Sequence, residues 1–158
     1  MQEKTLTISF LVYQNLEDLP AKDRDLAKRA QDSQNYSYAP YSNFRVGAAV
    51  RLENGQVIGN GNQENAAYSM CVCAERTALA AAQTLAPDQA VHAIAVTASP
   101  SRQLVSPCGA CRQVLHEREV VQNQPIRVIL QGAEGQWLVF ESAQLLIPFP
   151  FGPENLKA

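Results

Sequence analysis

Two short clusters hold the residues best suited to chemistry. Cys73-Ala74-Glu75-Arg76 sets a thiol, a carboxylate and a guanidinium side by side at the head of the alanine-rich run Thr77 to Gln83, and Pro107-Cys108-Gly109-Ala110-Cys111-Arg112 follows further along the chain. Three thiolates fill three corners of a tetrahedral zinc site and leave the fourth to water. A carboxylate beside that water, not itself a ligand, can move its protons. The pattern therefore predicts metal-assisted hydrolysis, with Cys73, Cys108 and Cys111 on the metal and Glu75 as proton carrier.

The spacing supports convergence. If the segment after Pro107 enters a helix, Cys108 and Cys111 lie on one side of its first turn, where backbone N–H groups favour thiolate over thiol. Cys73 can take the equivalent place at the start of a second helix, where dihedrals need not be helical, so Glu75 can reach the same ion. Three thiolates on one dication leave a net charge of about -1, which opposes deprotonation of water. Arg76 and Arg112 can offset it by donating to sulfur, with Arg76 the first choice. The blander reading, a structural zinc closed by Cys71, strains the Cys71-x-Cys73 pair and leaves Glu75 without a role. His92 and His116 lack ligand spacing and read as packing or surface residues.

The elements that must position these groups can be read in outline. Alternation of Leu6, Ile8, Phe10 and Val12 with polar neighbours predicts an N-terminal strand. Pro20, early acids and late bases predict a helix over roughly Ala21 to Gln34. Tyr36, Tyr38, Tyr41 and Phe44 crowd a loop broken by Pro40, more readily a packed loop than a wall for a planar ligand. Val46 to Leu52 alternates into Asn54-Gly55, a hairpin signal, and Val57-Ile58 starts the return strand. That strand runs out at Asn62-Gln63-Glu64-Asn65, a solvated loop or a polar grip for a hydroxylated substrate. Val91 to Ala98 and Ile126 to Leu130 read as strands, Gln113 to Val121 as a helix, and Gln136 to Phe140 as a last strand carrying a packed Trp137. The apolar end, Leu145 to Phe151, is broken by prolines and should pack against something, another subunit included. Together these predict an α/β fold, a central mixed sheet of five strands with helices on its faces, and an N-terminal strand at its edge.

Length and charge bound the function. The 158 residues suit one domain, and a net charge of -2 with a pI of about 5.7 disfavours a polynucleotide substrate, which calls for clustered Lys and Arg. No segment has the apolar run of a signal peptide or a membrane span. The four cysteines then read as cytoplasmic thiols available to metal rather than as a disulfide framework.

The two clusters match a Cys-x-Glu followed by Pro-Cys-x-x-Cys, the pattern of zinc deaminases. Beyond them, Tyr38-Ala39-Pro40-Tyr41-Ser42-Asn43-Phe44, Val46-Gly47-Ala48-Ala49, Glu64-Asn65-Ala66-Ala67-Tyr68, Ser106 to Gln113 and Phe151-Gly152-Pro153-Glu154 extend the match, and from about Tyr36 to Leu156 the chain resembles the small, homotetrameric cytidine deaminases. The resemblance implies an α/β/α layered fold, with residues 21–158 as one deaminase domain and 1–20 as an extension. It implies one Zn2+ per subunit on Cys73, Cys108 and Cys111, Glu75 as proton shuttle and Arg76 as charge balance. It places Phe44 against the pyrimidine, Asn62 and Glu64 on the ribose and Ala74 on the ring amide, with Tyr68 and Phe151 reaching in from neighbouring subunits. The implied reaction converts cytidine and 2′-deoxycytidine to uridine products and ammonia in pyrimidine salvage. Gln63 departs from the usual apolar residue. A blasticidin-S-type deaminase shares the zinc site but lacks Arg after the catalytic Glu, so Arg76 argues against it; a non-catalytic zinc module would leave Glu75 idle.

Overall fold

A computed structural model describes residues 1–156; Lys157 and Ala158, the last two of the expected 21–158 domain, lie outside the described residues. Six strands form one mixed sheet: β1 (Leu11–Tyr13), β2 (Arg45–Leu52), β3 (Val57–Gly61), β4 (Val91–Ser99), β5 (Arg127–Gln131) and β6 (Trp137–Phe140), in the order β1-β6-β5-β4-β2-β3. Only β4 and β5 run parallel, joined through a helix as a parallel pair requires. The helices are α1 (Ala21–Ser33), α2 (Ala74–Leu85) and α3 (Gly109–Gln122).

Strand alternation divides the core in two. Ala48, Val50, Ile94, Val96, Val128 and Leu130 face Ala78, Leu79 and Ala82 of α2 and Leu115 of α3. The intervening Ala49, Ala93, Ala95 and Ile129 face Leu26, Ala27 and Ala30 of α1. Helices thus cover both faces, as the sequence predicts, and the expected five-stranded sheet is present with β1 added at one edge. Alanines make up half of the buried α1-side cluster, and the approach is close: a Cβ on Gly47 would stand 2.1 Å from Ala30 O and 2.7 Å from Gln34 N. The N-terminus of α1 is fixed by buried Asp23, which accepts from Arg51 of β2 at 3.4 Å and Arg127 of β5 at 2.8 Å.

Some elements differ from expectation. The N-terminal strand is three residues long, because β6, its only partner, offers just four; Leu6 and Ile8 stay exposed, while Phe10 stacks on Phe140 with centroids 5.2 Å apart. Asn54-Gly55 makes the expected hairpin through a three-residue loop, with Gly55 alone at positive φ (86°) and its N–H bonded to Leu52 O at 2.9 Å. The tyrosines of the Tyr36–Phe44 loop are not packed; Tyr36, Tyr38 and Tyr41 are each about half exposed. The apolar end packs in part, burying Leu146 and leaving Phe149 and Phe151 exposed.

The Gly47 contact gives a test of the α1 packing. Gly47→Ala is expected to lower stability by about 1–3 kcal/mol, read as a lower Tm, because the new methyl meets backbone that cannot yield; an unchanged Tm would contradict the close approach.

Candidate metal centre and cleft

Cys73 and Cys108 each occupy the position just before a helix, α2 and α3 respectively, with extended dihedrals (φ -68°, ψ 152° and φ -67°, ψ 168°). Neither side chain caps its own helix, so both sulfurs are free to meet. Cys111 follows in the first turn of α3, fully buried. The start of α2 is held by Val72, whose N–H and C=O pair with Gln63 at 2.9 and 2.8 Å, and by Thr77, whose hydroxyl donates to Gly61 O at 3.0 Å. The start of α3 is held by Arg112, which donates to Pro107 O, Leu146 O and Ser106 Oγ at 2.8–3.0 Å.

The sulfurs lie 3.8 Å (Cys73–Cys108) and 3.6 Å (Cys108–Cys111) apart, all three within 4.8 Å of one another. A tetrahedral zinc with Zn–S of about 2.3 Å requires sulfurs about 3.8 Å apart, so the donor set fits that ion by type and by spacing. Cys71 stands outside the cluster, its sulfur bonded to Asn65 N at 3.3 Å; the four-thiol structural site is not formed. His92 is exposed and His116 is buried in α3, and neither joins the group.

Cys73 and Cys111 differ sharply in their hold on a proton. Hydrogen bonding from Cys111, helped by Cys108, the charge of Arg76 and Cys73's own N–H, brings the Cys73 thiol down to about 6 against the opposing effect of burial. Cys111, which serves as donor to Cys73 and is buried, is pushed far up. Glu75 is 4% exposed, and burial, with the Cys73 charge, raises its carboxyl above the usual range. Arg76 acts on Cys73 through its charge. Arg112 departs from expectation: its N–H groups are spent on the loop that carries Cys108, and it braces the site instead of donating to sulfur.

Cys73, Glu75 and Cys108 open onto a cleft of about 310 Å3 that also contains Phe44, Asn62 and Glu64. Ala74 is buried at the first position of α2. Asn62 Oδ1 accepts from Ser37 Oγ at 2.5 Å and Val46 N at 2.8 Å, while its Nδ2 donates to Phe44 O at 3.0 Å. Glu64 accepts from Tyr41 N at 2.9 Å, from Ser42 N at 3.3 Å and from the Ser42 hydroxyl; the Ser42 hydroxyl and then the Tyr41 N–H hold its carboxyl below the usual range. Tyr68, 73% exposed, lies in an adjoining cleft that shares Glu64, edge-on to Tyr41, and Phe151 is 58% exposed, its carbonyl bonded to Gln113. Neither aromatic is among the described residues that line the metal cleft. Sequence reasoning missed Val46, Val96, Val105 and Ser106 in the cleft wall. The strand residues read only as core; for Ser106 the adjacent Pro107-Cys108 was the one available signal.

Residues 20–124 match the family model described as "Cytidine and deoxycytidylate deaminase zinc-binding region". The chain is similar to a cytidine deaminase of Halalkalibacterium halodurans, 49% identical over 84% of this chain and 96% of the relative. It is also similar to one of Sporosarcina psychrophila, 39% identical over 84% and 93%. Among solved structures, a cytidine deaminase from Burkholderia pseudomallei is 41% identical and superposes with a TM-score of 0.70 over 80% of this chain and 97% of that one.

Because Cys73 is largely ionised at neutral pH before any metal arrives, zinc uptake by the metal-free protein at pH 7.5 is expected to release fewer than three protons per ion. Affinity should fall with pH because binding displaces thiol protons, and fall more steeply below about 6, where Cys73 regains its own. Calorimetry in buffers of different ionisation enthalpy measures the count; three protons released would contradict a Cys73 already ionised.

Proposed function

We propose, from the premise that the chain belongs to the cytidine and deoxycytidylate deaminase family, that it is a zinc hydrolase converting cytidine, and 2′-deoxycytidine, to the uridine products and ammonia in cytoplasmic pyrimidine salvage. The observation that carries this reading is the meeting in one cleft of Cys73, Cys108 and a buried Glu75 with Phe44, Asn62 and Glu64.

Cys73, Cys108 and Cys111 would hold the ion, one per subunit, and Arg76 would moderate the charge of the thiolates. Bound there, zinc supplies Lewis acidity that makes water a competent nucleophile near neutral pH. Glu75, with a carboxyl raised by burial, takes one proton from the attacking water and gives it to the ring nitrogen beside the amine-bearing carbon, then takes the second from the newly added hydroxyl and gives it to the amine, which leaves as ammonia. Phe44 lies against the base, and Ala74 at the helix start offers backbone groups to the ring amide. Both lone-pair sides of Asn62 Oδ1 are already used, so its second N–H is the group left for a sugar oxygen, whereas Glu64, held as a carboxylate, accepts from sugar hydroxyls. Among the described residues no Lys or Arg lines the cleft; a 5′-phosphate would face two carboxylates and no described cation, which favours the neutral nucleoside over a nucleotide.

The reading includes residues 21–158 as the catalytic domain, 1–20 as an extension, and a homotetramer with shared sites. Exposed Phe151 and Tyr68 support sharing, as does an apolar groove of about 510 Å3 between α2 and α3 that includes Val72, Leu79, Val114 and Val121. Among the described residues no helix is long and apolar enough to cross a membrane.

Glu75→Gln at equal zinc content is expected to lower kcat for cytidine, followed by ultraviolet absorbance, by at least about 100- to 10,000-fold; full activity with Gln would sink the proton-shuttle role, and no turnover by the zinc-loaded parent would sink the function. Phe151→Ala is expected to raise KM for cytidine in a protein whose light-scattering mass is that of four chains, and a fully active monomer would refute shared sites.

A further inference from the structure

The aromatic loop contains a contact that sequence spacing does not announce. The Ser42 hydroxyl donates to Glu64 Oε1 and at the same time accepts from Phe44 N at 3.0 Å. One hydroxyl can do both, since it carries one donor and two acceptor positions. The result is a continuous chain of hydrogen bonds from the Phe44 backbone through Ser42 Oγ to the Glu64 carboxylate, each bond polarising the next. Ser42 and Glu64 are 22 residues apart in sequence, and Phe44 and Glu64 both line the cleft.

The backbone around Ser42 is set for this contact. Asn43 adopts a left-handed conformation, φ 57°, which Asn tolerates better than most residues. The turn is closed by Asn43 N donating to Ala39 O at 3.1 Å. Tyr41 N and Ser42 N converge on Glu64 Oε2, so both carboxylate oxygens are held by the one turn. Glu64 is fixed from its other side as well. Its own N–H donates to Tyr38 O at 2.8 Å, and the preceding Gln63 bridges to Val72, the residue before Cys73.

We propose that Ser42 is a positioning residue that couples the two halves of substrate recognition, so that the carboxylate receiving the sugar hydroxyls and the aromatic ring against the base are placed by one shared hydroxyl. The proposal rests on the nucleoside-deaminase reading above. Ser42 touches neither the metal group nor Glu75 in any hydrogen bond of the structure, so its loss acts on binding and leaves the chemical step alone. Its side chain is exposed, and removing the hydroxyl creates no core cavity.

The test compares cytidine with 2′,3′-dideoxycytidine, which keeps the base and lacks the ring hydroxyls, on zinc-loaded wild-type, Ser42→Ala and Ser42→Thr full-length proteins. Ser42→Ala is expected to raise KM for cytidine about tenfold, the scale of one hydrogen bond to a charged group. It should leave kcat within about twofold and zinc content unchanged, raise KM for the dideoxynucleoside by a smaller factor through the Phe44 side, and so narrow the preference for cytidine by less than the full loss. Ser42→Thr, which keeps the hydroxyl, recovers most of the loss. An unchanged KM overturns the proposal, as does a loss equal on both substrates, a loss confined to cytidine, or a Thr variant no better than Ala. A wild-type protein that fails to turn over cytidine at full zinc occupancy overturns the functional reading and the proposal with it, an outcome distinguishable because it does not involve the variants.

Discussion

Three sulfur atoms held within about 4 Å of their neighbours at the starts of two helices form the constraint around which the rest is arranged. Three thiolates so close would repel one another, and the cluster answers this by pushing the Cys111 thiol far up, so that it keeps its proton and donates it toward Cys73. The scaffold must therefore hold the sulfurs in place while their protonation changes. It does so with bonds that involve no sulfur: the Gln63–Val72 bridge and the Thr77 hydroxyl on the α2 side, and the three donations of Arg112 on the α3 side. Each helix start is tied to a sheet strand or a loop that is itself anchored, and Ala98 N and Val105 N both bond to Gln131, fixing the segment that delivers Cys108.

The same economy governs the end of the cleft that holds Asn62 and Glu64. Asn62, Gln63 and Glu64 run between Tyr38 on one side and Val72 on the other, a short ladder outside the main sheet. Asn62, Gln63 and Glu64 all line the cleft, and the Gln63 amide is tied back to Tyr36 O at 3.0 Å. The departure at Gln63 therefore adds a tether to the aromatic loop.

How much of this could be read from the sequence depends on range. The helix starts, the hairpin and the two-sided sheet follow from local chemistry: helix formers after Cys73, a proline before Cys108, alternation in β2 and β4. The sulfur cluster was legible because ligand geometry restricts which spacings work. What stayed hidden joins residues far apart in sequence without a shared period. Asp23 looked like a helix-start acid and is also the anchor for Arg51 and Arg127. Arg112 looked like a partner for sulfur, but unsatisfied carbonyls nearby claimed it first. The N-terminal alternation yields only the short β1, with Leu6, Ile8, Phe10 and Val12 all exposed, and β6, which it pairs with, has four residues to offer.

The position of β1 has a practical side. It forms one edge of the sheet and β3, which leads into Asn62 and Glu64, forms the other; five inter-strand steps of about 4.8 Å put roughly 24 Å between them. A tag joined just before Leu11 is thus held at the margin remote from Asn62 and Glu64.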